Sequence, residues 1–169
     1  MPIQDTQEFI IELEKHGELK RVKTEVDSDL EIAEILRREM YSNGPAILFE
    51  NVKGHTIPVL GNAFGSMKRL EIGLEMTDFT EIGHRITDMT KMDMPSGILN
   101  KIKKLPELSK MTASFPKSES KGLVTEVTST DASFDDLPII KSWPNDAGRF
   151  ITLGLIATKH PETGVRNLG

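Results

Sequence analysis

The chain has 169 residues, 37% of them hydrophobic, which is enough apolar material for one sizeable domain, or for one small domain and part of a second. The net charge of −5, with Lys and Arg scattered among acids, argues against a nucleic-acid surface, and having no cysteine removes disulfides, thiolate zinc sites and cysteine nucleophiles together. No apolar run is long enough to span a bilayer, and the opening MPIQDTQEFIIELEKHG lacks the plan of a signal peptide, so a cytoplasmic protein without a transmembrane segment is expected.

Asp5 and Glu8 have the spacing of a capping box, and Phe9, Ile10 and Leu13 supply the apolar face of a first helix that Gly17 ends. Leu19 to Val22 and Val26 read as extended. Asp27, Ser28 and Asp29 offer caps to a second helix carrying Leu30, Ala33, Ile35, Leu36 and Met40, closed by Asn43-Gly44-Pro45. Two runs, Ala46 to Phe49 and Ile57 to Leu60, suit buried strands joined by a turn around Lys53-Gly54-His55. Helical period returns from Ser66 to Met76 and from Asp78 to Met89. The alternation predicts an N-terminal α/β domain over residues 1–112.

Between Leu105 and Gly122 the composition shifts to Pro, Ser and Lys without an apolar period, which reads as a domain connection with its boundary near Thr112. Residues 113–169 then read as a linker and the first strands of a second domain, LVTEVTS and Phe150 to Thr158, followed by a turn at Pro161–Gly164 and a return strand. So few strands cannot close a barrel or hide both sheet edges, and this domain is expected to be incomplete.

Candidate chemistry is sparse. GNAFGSMKR, Gly61 to Arg69, has glycines before a helix, but its spacing is not that of a P-loop, and a strand-to-helix turn explains it. The four histidines, His16, His55, His84 and His160, are dispersed and read as surface or loop residues. Asp135 and Asp136 could divide acid and base roles, yet before Leu137-Pro138 they look like a turn. Trp143 to Gly148 is a tight loop that the only tryptophan is expected to anchor. Asn167 carries a neutral carbonyl oxygen suited to Mn²⁺ or Mg²⁺, although on residue type alone it simply terminates a strand.

Three ordered segments, FIIELEKHGELKRV, GPAILFENVKGHTIPVLGNAFGSMKR and LPIIKSWPNDAGRFITLGLIATKHPETGVRNLG, together resemble the UbiD family of decarboxylases that use prenylated flavin mononucleotide. The resemblance implies an α/β (α+β) N-terminal domain followed by the opening strands of a split β-barrel that binds FMN. It implies Asn167 as a ligand of the divalent metal, Mn²⁺ or Mg²⁺, that bridges protein and flavin phosphate, with K⁺ as a further ion. Thr152 and Gly169 are the weaker carry-overs, placed in the cofactor pocket and beneath the cofactor.

The family motif continues with an apolar residue, Tyr and an Arg of a Glu-Arg-Glu network, and the later His and Glu metal ligands also lie outside this sequence. The chain is therefore expected to be the N-terminal fragment of a carboxy-lyase, inactive alone. The substrate implied is a small carboxylic acid, α,β-unsaturated or aromatic, and the whole enzyme is implied to be a homo-oligomer. Polyprenyl hydroxybenzoates, trans-anhydromevalonate phosphate and cinnamic-type acids all stand as substrates. The alternative reading is a self-standing, non-catalytic domain that completes its sheet with a partner subunit.

Overall fold

The computed structural model describes residues 3–76, 78–90, 120, 122 and 125–169. These fall into two compact units, Met1–Glu75 with Ser133–Gly169, and Met76–Ala132. The expected connection from Leu105 to Gly122 lies almost wholly outside the described residues, as does the boundary near Thr112.

In the first unit, helix α1 (Thr6–Lys15) starts where Asp5 accepts the Glu8 N–H at 2.8 Å. Glu8 reaches back one residue further than an ideal capping box, accepting from Gln4 N at 2.8 Å. Gly17, at φ 70, ends the helix: Glu18 N donates to Leu13 O and Gly17 N to Glu14 O, which satisfies carbonyls that the last turn leaves open. Strand β1 (Leu19–Val22) follows, then helix α2 (Glu31–Tyr41), strand β2 (Ala46–Phe49), strand β3 (Val59–Gly61) and helix α3 (Met67–Leu74). β1 and β2 are parallel, as the helical crossover between them permits, and β3 runs antiparallel to β2 with Leu48 opposite Leu60.

All four residues of the central strand β2 are buried, because both faces of the sheet are covered. Ile47 and Phe49 pack with Ile32, Val26 and Val52, and partly buried Ile35 and Leu36 of α2 close that side. Ala46 packs with Phe9 and Leu13 of α1 and with Ile72 of α3. Helices on both faces of a short sheet make the α/β fold expected from the alternating pattern. Full burial of a side chain such as Leu13 or Phe49 contributes about 1.5–3 kcal/mol.

Gly61 marks the closest approach of α2 to the sheet: a Cβ there would collide with both methyls of Leu36. Gly61→Val is therefore expected to destabilise the unit by about 1–3 kcal/mol through overpacking. Thermal unfolding of the variant checks this, and an unchanged midpoint would contradict the packing described.

Three expectations need correction. The predicted caps Asp27, Ser28 and Asp29 do not cap α2 by side chain; residue Leu30 flanks the helix at φ 67, while Asp27 Oδ1 instead accepts from Asp29 N at 2.9 Å. The run Ile57 to Leu60 starts its strand two residues late, at Val59, and Ile57 is exposed. Of the strand read over Phe150 to Thr158, only β4 (Ala157–Lys159) forms, with a turn at Thr152 and Leu153, and residues 125–129 of LVTEVTS form no strand. Alternating apolar residues make a strand only where a neighbour supplies hydrogen bonds, and among the described residues β4 pairs solely with β5 (Arg166–Leu168).

In the second unit, helix α4 (Thr80–Thr90) covers most of the run predicted from Asp78 to Met89 and ends one residue beyond it. Asp78 accepts the Thr80 N–H at 2.9 Å, and hydrogen bonds from the Thr80 side chain and backbone hold its carboxyl below the usual range.

Candidate functional site

Past the first sheet, the chain turns at Phe134–Asp136, where Ser133 Oγ accepts from Asp135 N and Asp136 Oδ2 accepts from Ser133 N. The two aspartates thus serve a turn, as their sequence context suggested. Residues 139–141 then cross the region before α2: Lys141 N donates to Ser28 O at 3.0 Å, and Leu30 N donates to Lys141 O at 3.1 Å.

Trp143 follows, and here expectation and structure part. Trp143 is 62% exposed and anchors the loop by no burial of its ring. The loop is held instead by Asp146, whose carboxylate accepts from Trp143 N at 3.0 Å and whose N–H donates to Trp143 O at 3.1 Å. The indole, with Ile140, Leu30, Leu36 and Met40, lines an open groove of about 510 Å³ along α2.

β4 and β5 form an antiparallel ribbon with Thr158 opposite Asn167 and Ala157 opposite Leu168. Ile156 and Gly169 exchange both backbone hydrogen bonds, at 2.7 and 3.0 Å. By the two-residue alternation of strands, Ile156, Thr158, Asn167 and Gly169 share one face, and Lys159 with Arg166 lies on the other. A hydroxyl and an amide carbonyl thus stand side by side on one surface of the ribbon. Thr152 lies outside this ladder, in the turn after Ile151, and among the described residues no hydrogen bond joins it to the ribbon.

The ribbon's turn is built around His160. Its Nδ1 accepts from Glu162 N and Thr163 N, each at 3.2 Å, which leaves the proton of a neutral ring on Nε2. Gly164, at φ 72, donates to His160 O at 3.0 Å. The imidazole has a local structural task, consistent with its reading as a loop residue. The apolar residues around it are uncovered: Leu155 is 82% exposed, and Leu153, Val165 and Leu168 are exposed as well.

The glycine segment before α3 serves packing. Ser66 Oγ accepts from Arg69 N at 3.2 Å, and the space beside Gly65 is occupied by the Asn62 side chain. Asn62 Nδ2 donates to the carbonyls of Gly44 and Pro45 at 3.1 Å each, so this turn is stitched to the end of α2. Among the described residues no group of three or more His, Cys, Asp or Glu could hold a metal ion. Asn167 alone offers one hard oxygen, which fits a corner of a metal shell and cannot complete one. No helix of the described residues is long and apolar enough to cross a membrane.

Residues 10–86 match the N-terminal domain of 3-octaprenyl-4-hydroxybenzoate carboxy-lyase, and residues 116–169 match the Rift-related domain of the same family. The chain belongs to the UbiD family. An uncharacterized protein of Aquifex aeolicus is 46% identical over 98% of this chain and 35% of its own length. An uncharacterized protein of Archaeoglobus fulgidus is 42% identical over 100% of this chain and 34% of its own length. This UbiD family chain therefore spans about a third of the curated relatives it matches. An evolved dimeric form of the UbiD-class enzyme HmfF from Pelotomaculum thermopropionicum, in complex with prFMN, superposes with a TM-score of 0.64 at 24% identity, over 96% of this chain and 34% of that one. That likeness supports the fold.

Two residues matter to this arrangement beyond their sequence reading: Ser28, expected only as a helix cap, and Arg149, which was passed over. Arg149 Nη1 donates to Ser28 Oγ at 2.6 Å and to Ile139 O at 2.8 Å. A polar residue embedded among the apolar neighbours of Val26 and Ile32 was the available signal, because a buried hydroxyl requires a partner.

Proposed function

We propose that this chain is the N-terminal portion of a UbiD-type carboxy-lyase that removes CO₂ from an α,β-unsaturated or aromatic acid, using prenylated FMN and a divalent metal. The observation that carries the reading is the ordered match of the family's N-terminal and Rift-related domains within one chain. The matched ranges also support a division into residues 1–112 and 113–169, the latter being the opening of a split β-barrel.

In this reading Asn167 contributes its side-chain oxygen to the metal that holds the flavin phosphate, Thr152 lines the cofactor pocket, and Gly169 passes beneath the cofactor. Support for Asn167 comes from its place on an exposed ribbon face beside Thr158, where no described side chain engages its amide. When bound, prenylated FMN supplies the electron sink that lets carboxylate depart as CO₂. The residues of this chain bind and orient; the proton-transferring groups belong to other parts of the family's sequence. The 169-residue chain alone is expected to be inactive.

The exposed apolar ribbon also favours the second reading, a non-catalytic domain whose ribbon is completed by strands of a partner subunit. Flavin uptake separates the two. The longest polypeptide the gene encodes, incubated with prenylated FMN and Mn²⁺ and then desalted, is expected to keep flavin absorbance in proportion to protein. Loss of all flavin on desalting, together with a stable complex with a second polypeptide, would favour the partner reading.

A further inference from the structure

The ribbon that carries Asn167 is anchored by little of its own. Both strands are exposed along their length, and among the described residues no third strand joins them. A two-stranded ribbon in that state is marginally stable, so its placement must be imposed by the chain that leads into it. The last fixed points before it are Arg149 and Phe150, whose N–H donates to Ile140 O at 3.1 Å.

Arg149 is held from the N-terminal layer. Ser28, 3% exposed, accepts from Nη1, and Nη2 stands 3.7 Å from Asp29 Oδ2. The next residue, Leu30, has φ 67, with Glu31 N donating to Asp29 O at 2.8 Å, a left-handed γ-turn that a leucine adopts only under restraint. The restraint is visible: Leu30 N donates to Lys141 O, and Lys141 N donates to Ser28 O. Three consecutive residues, Ser28 to Leu30, therefore grip residues 141–149 at both ends.

We propose that Arg149 is a positioning residue that sets where the Asn167 ribbon stands, by locking the segment ahead of it to Ser28 and Asp29. The role rests on the reading of Asn167 as a ligand beside the flavin phosphate. An arginine suits it because one planar fork reaches a hydroxyl, a carbonyl and a carboxylate at once, whereas a lysine reaches one or two of them. The energy of the latch is spent in ordering the segment rather than in touching any ligand.

The test is a titration with FMN in the presence of Mn²⁺, made on the longest polypeptide the gene encodes and on its R149M, R149K and S28A variants. Thermal unfolding of the same samples reports their fold stability. R149M is expected to weaken FMN binding about 10–100-fold, the usual effect of removing a group that orients a ligand, with partial recovery in R149K and an intermediate loss in S28A. An R149M that melts earlier but binds FMN as wild type does would overturn the proposal, since the arginine would then be structural only. Should R149M fail to fold, S28A decides: a severalfold weaker affinity supports the latch and an unchanged one overturns it. A wild type that takes up no FMN overturns the flavin reading itself, and the positioning role with it.

Discussion

Arg69→Ala is expected to lower stability by about 3–5 kcal/mol, as removal of one partner from a buried ion pair does. Arg69 lies on α3, is 1% exposed and donates from Nη1 to Glu18 Oε2 at 2.9 Å and to Gly44 O at 3.2 Å. Those two bonds fasten α3 to the start of β1 and to the turn before β2. The alanine leaves a void, a Gly44 carbonyl held by Asn62 alone and a Glu18 carboxylate with only Lys68, at 3.0 Å, for company. Arg69 Nε has no hydrogen-bond partner, so the buried arginine already carries a cost. Combining R69M with E18Q, which removes both charges and keeps the volume, should therefore recover part of the loss. Urea unfolding of the wild type and both variants decides it, and a R69A loss below about 1 kcal/mol, the range of exposed pairs, would contradict the pair's importance.

Glu18 also sets an acid dependence. The Lys68 hydrogen bond holds the Glu18 carboxyl below the usual range, burial opposes it and Arg69 adds to it. A carboxyl depressed in the folded state stabilises fully above its unfolded pKa of about 4.3, and that stability is lost as pH falls through its lower folded value. Melting temperature should thus fall on acidification below about pH 4, and E18Q should flatten the decline. Parallel curves for wild type and E18Q would remove Glu18 from the account.

Asn167→Ala is expected to abolish metal-dependent flavin retention in the longest encoded polypeptide while leaving its melting temperature nearly unchanged. The side chain is exposed on β5, so its removal makes no cavity. In the proposed role of direct metal ligand, its loss should cost at least the roughly 10–100-fold in metal affinity or activity that groups merely orienting a ligand cost. Asp at this position keeps a hard oxygen and should retain part of the binding. Equal flavin retention in N167A and wild type, measured after desalting with Mn²⁺ present, would remove Asn167 from the metal site.

Much of the first unit was legible in the sequence because its signals are local. Asp5, Glu8 and Gly17 bound α1 by their own hydrogen bonds, and the unbroken run Ala46 to Phe49 announces a strand covered on both faces. Arg69 was not legible as a core residue, since a lysine-arginine pair on a short helix looks solvated until Glu18, 51 residues earlier, is placed against it. The latch between Ser28 and Arg149 joins residues 121 apart and has no local signature either.

The second half misled for a different reason. Ile151, Leu153 and Leu155 alternate as strand residues do, yet all three are exposed and unpaired among the described residues, so alternation alone does not make a strand here. Asn167 was distinguishable from a strand-ending asparagine by the family resemblance alone. What the structure adds is its setting beside Thr158 on one face of the ribbon.

The most direct test is decarboxylation of labelled acids. The longest encoded polypeptide, reconstituted with prenylated FMN and Mn²⁺, is supplied with a panel of ¹³C-carboxyl aromatic and α,β-unsaturated acids, and released ¹³CO₂ is measured. Release is expected from at least one acid, dependent on the flavin and lost in N167A. Flavin-loaded protein that releases no ¹³CO₂ from any acid class of the family, or release that persists without flavin, would contradict the proposed function.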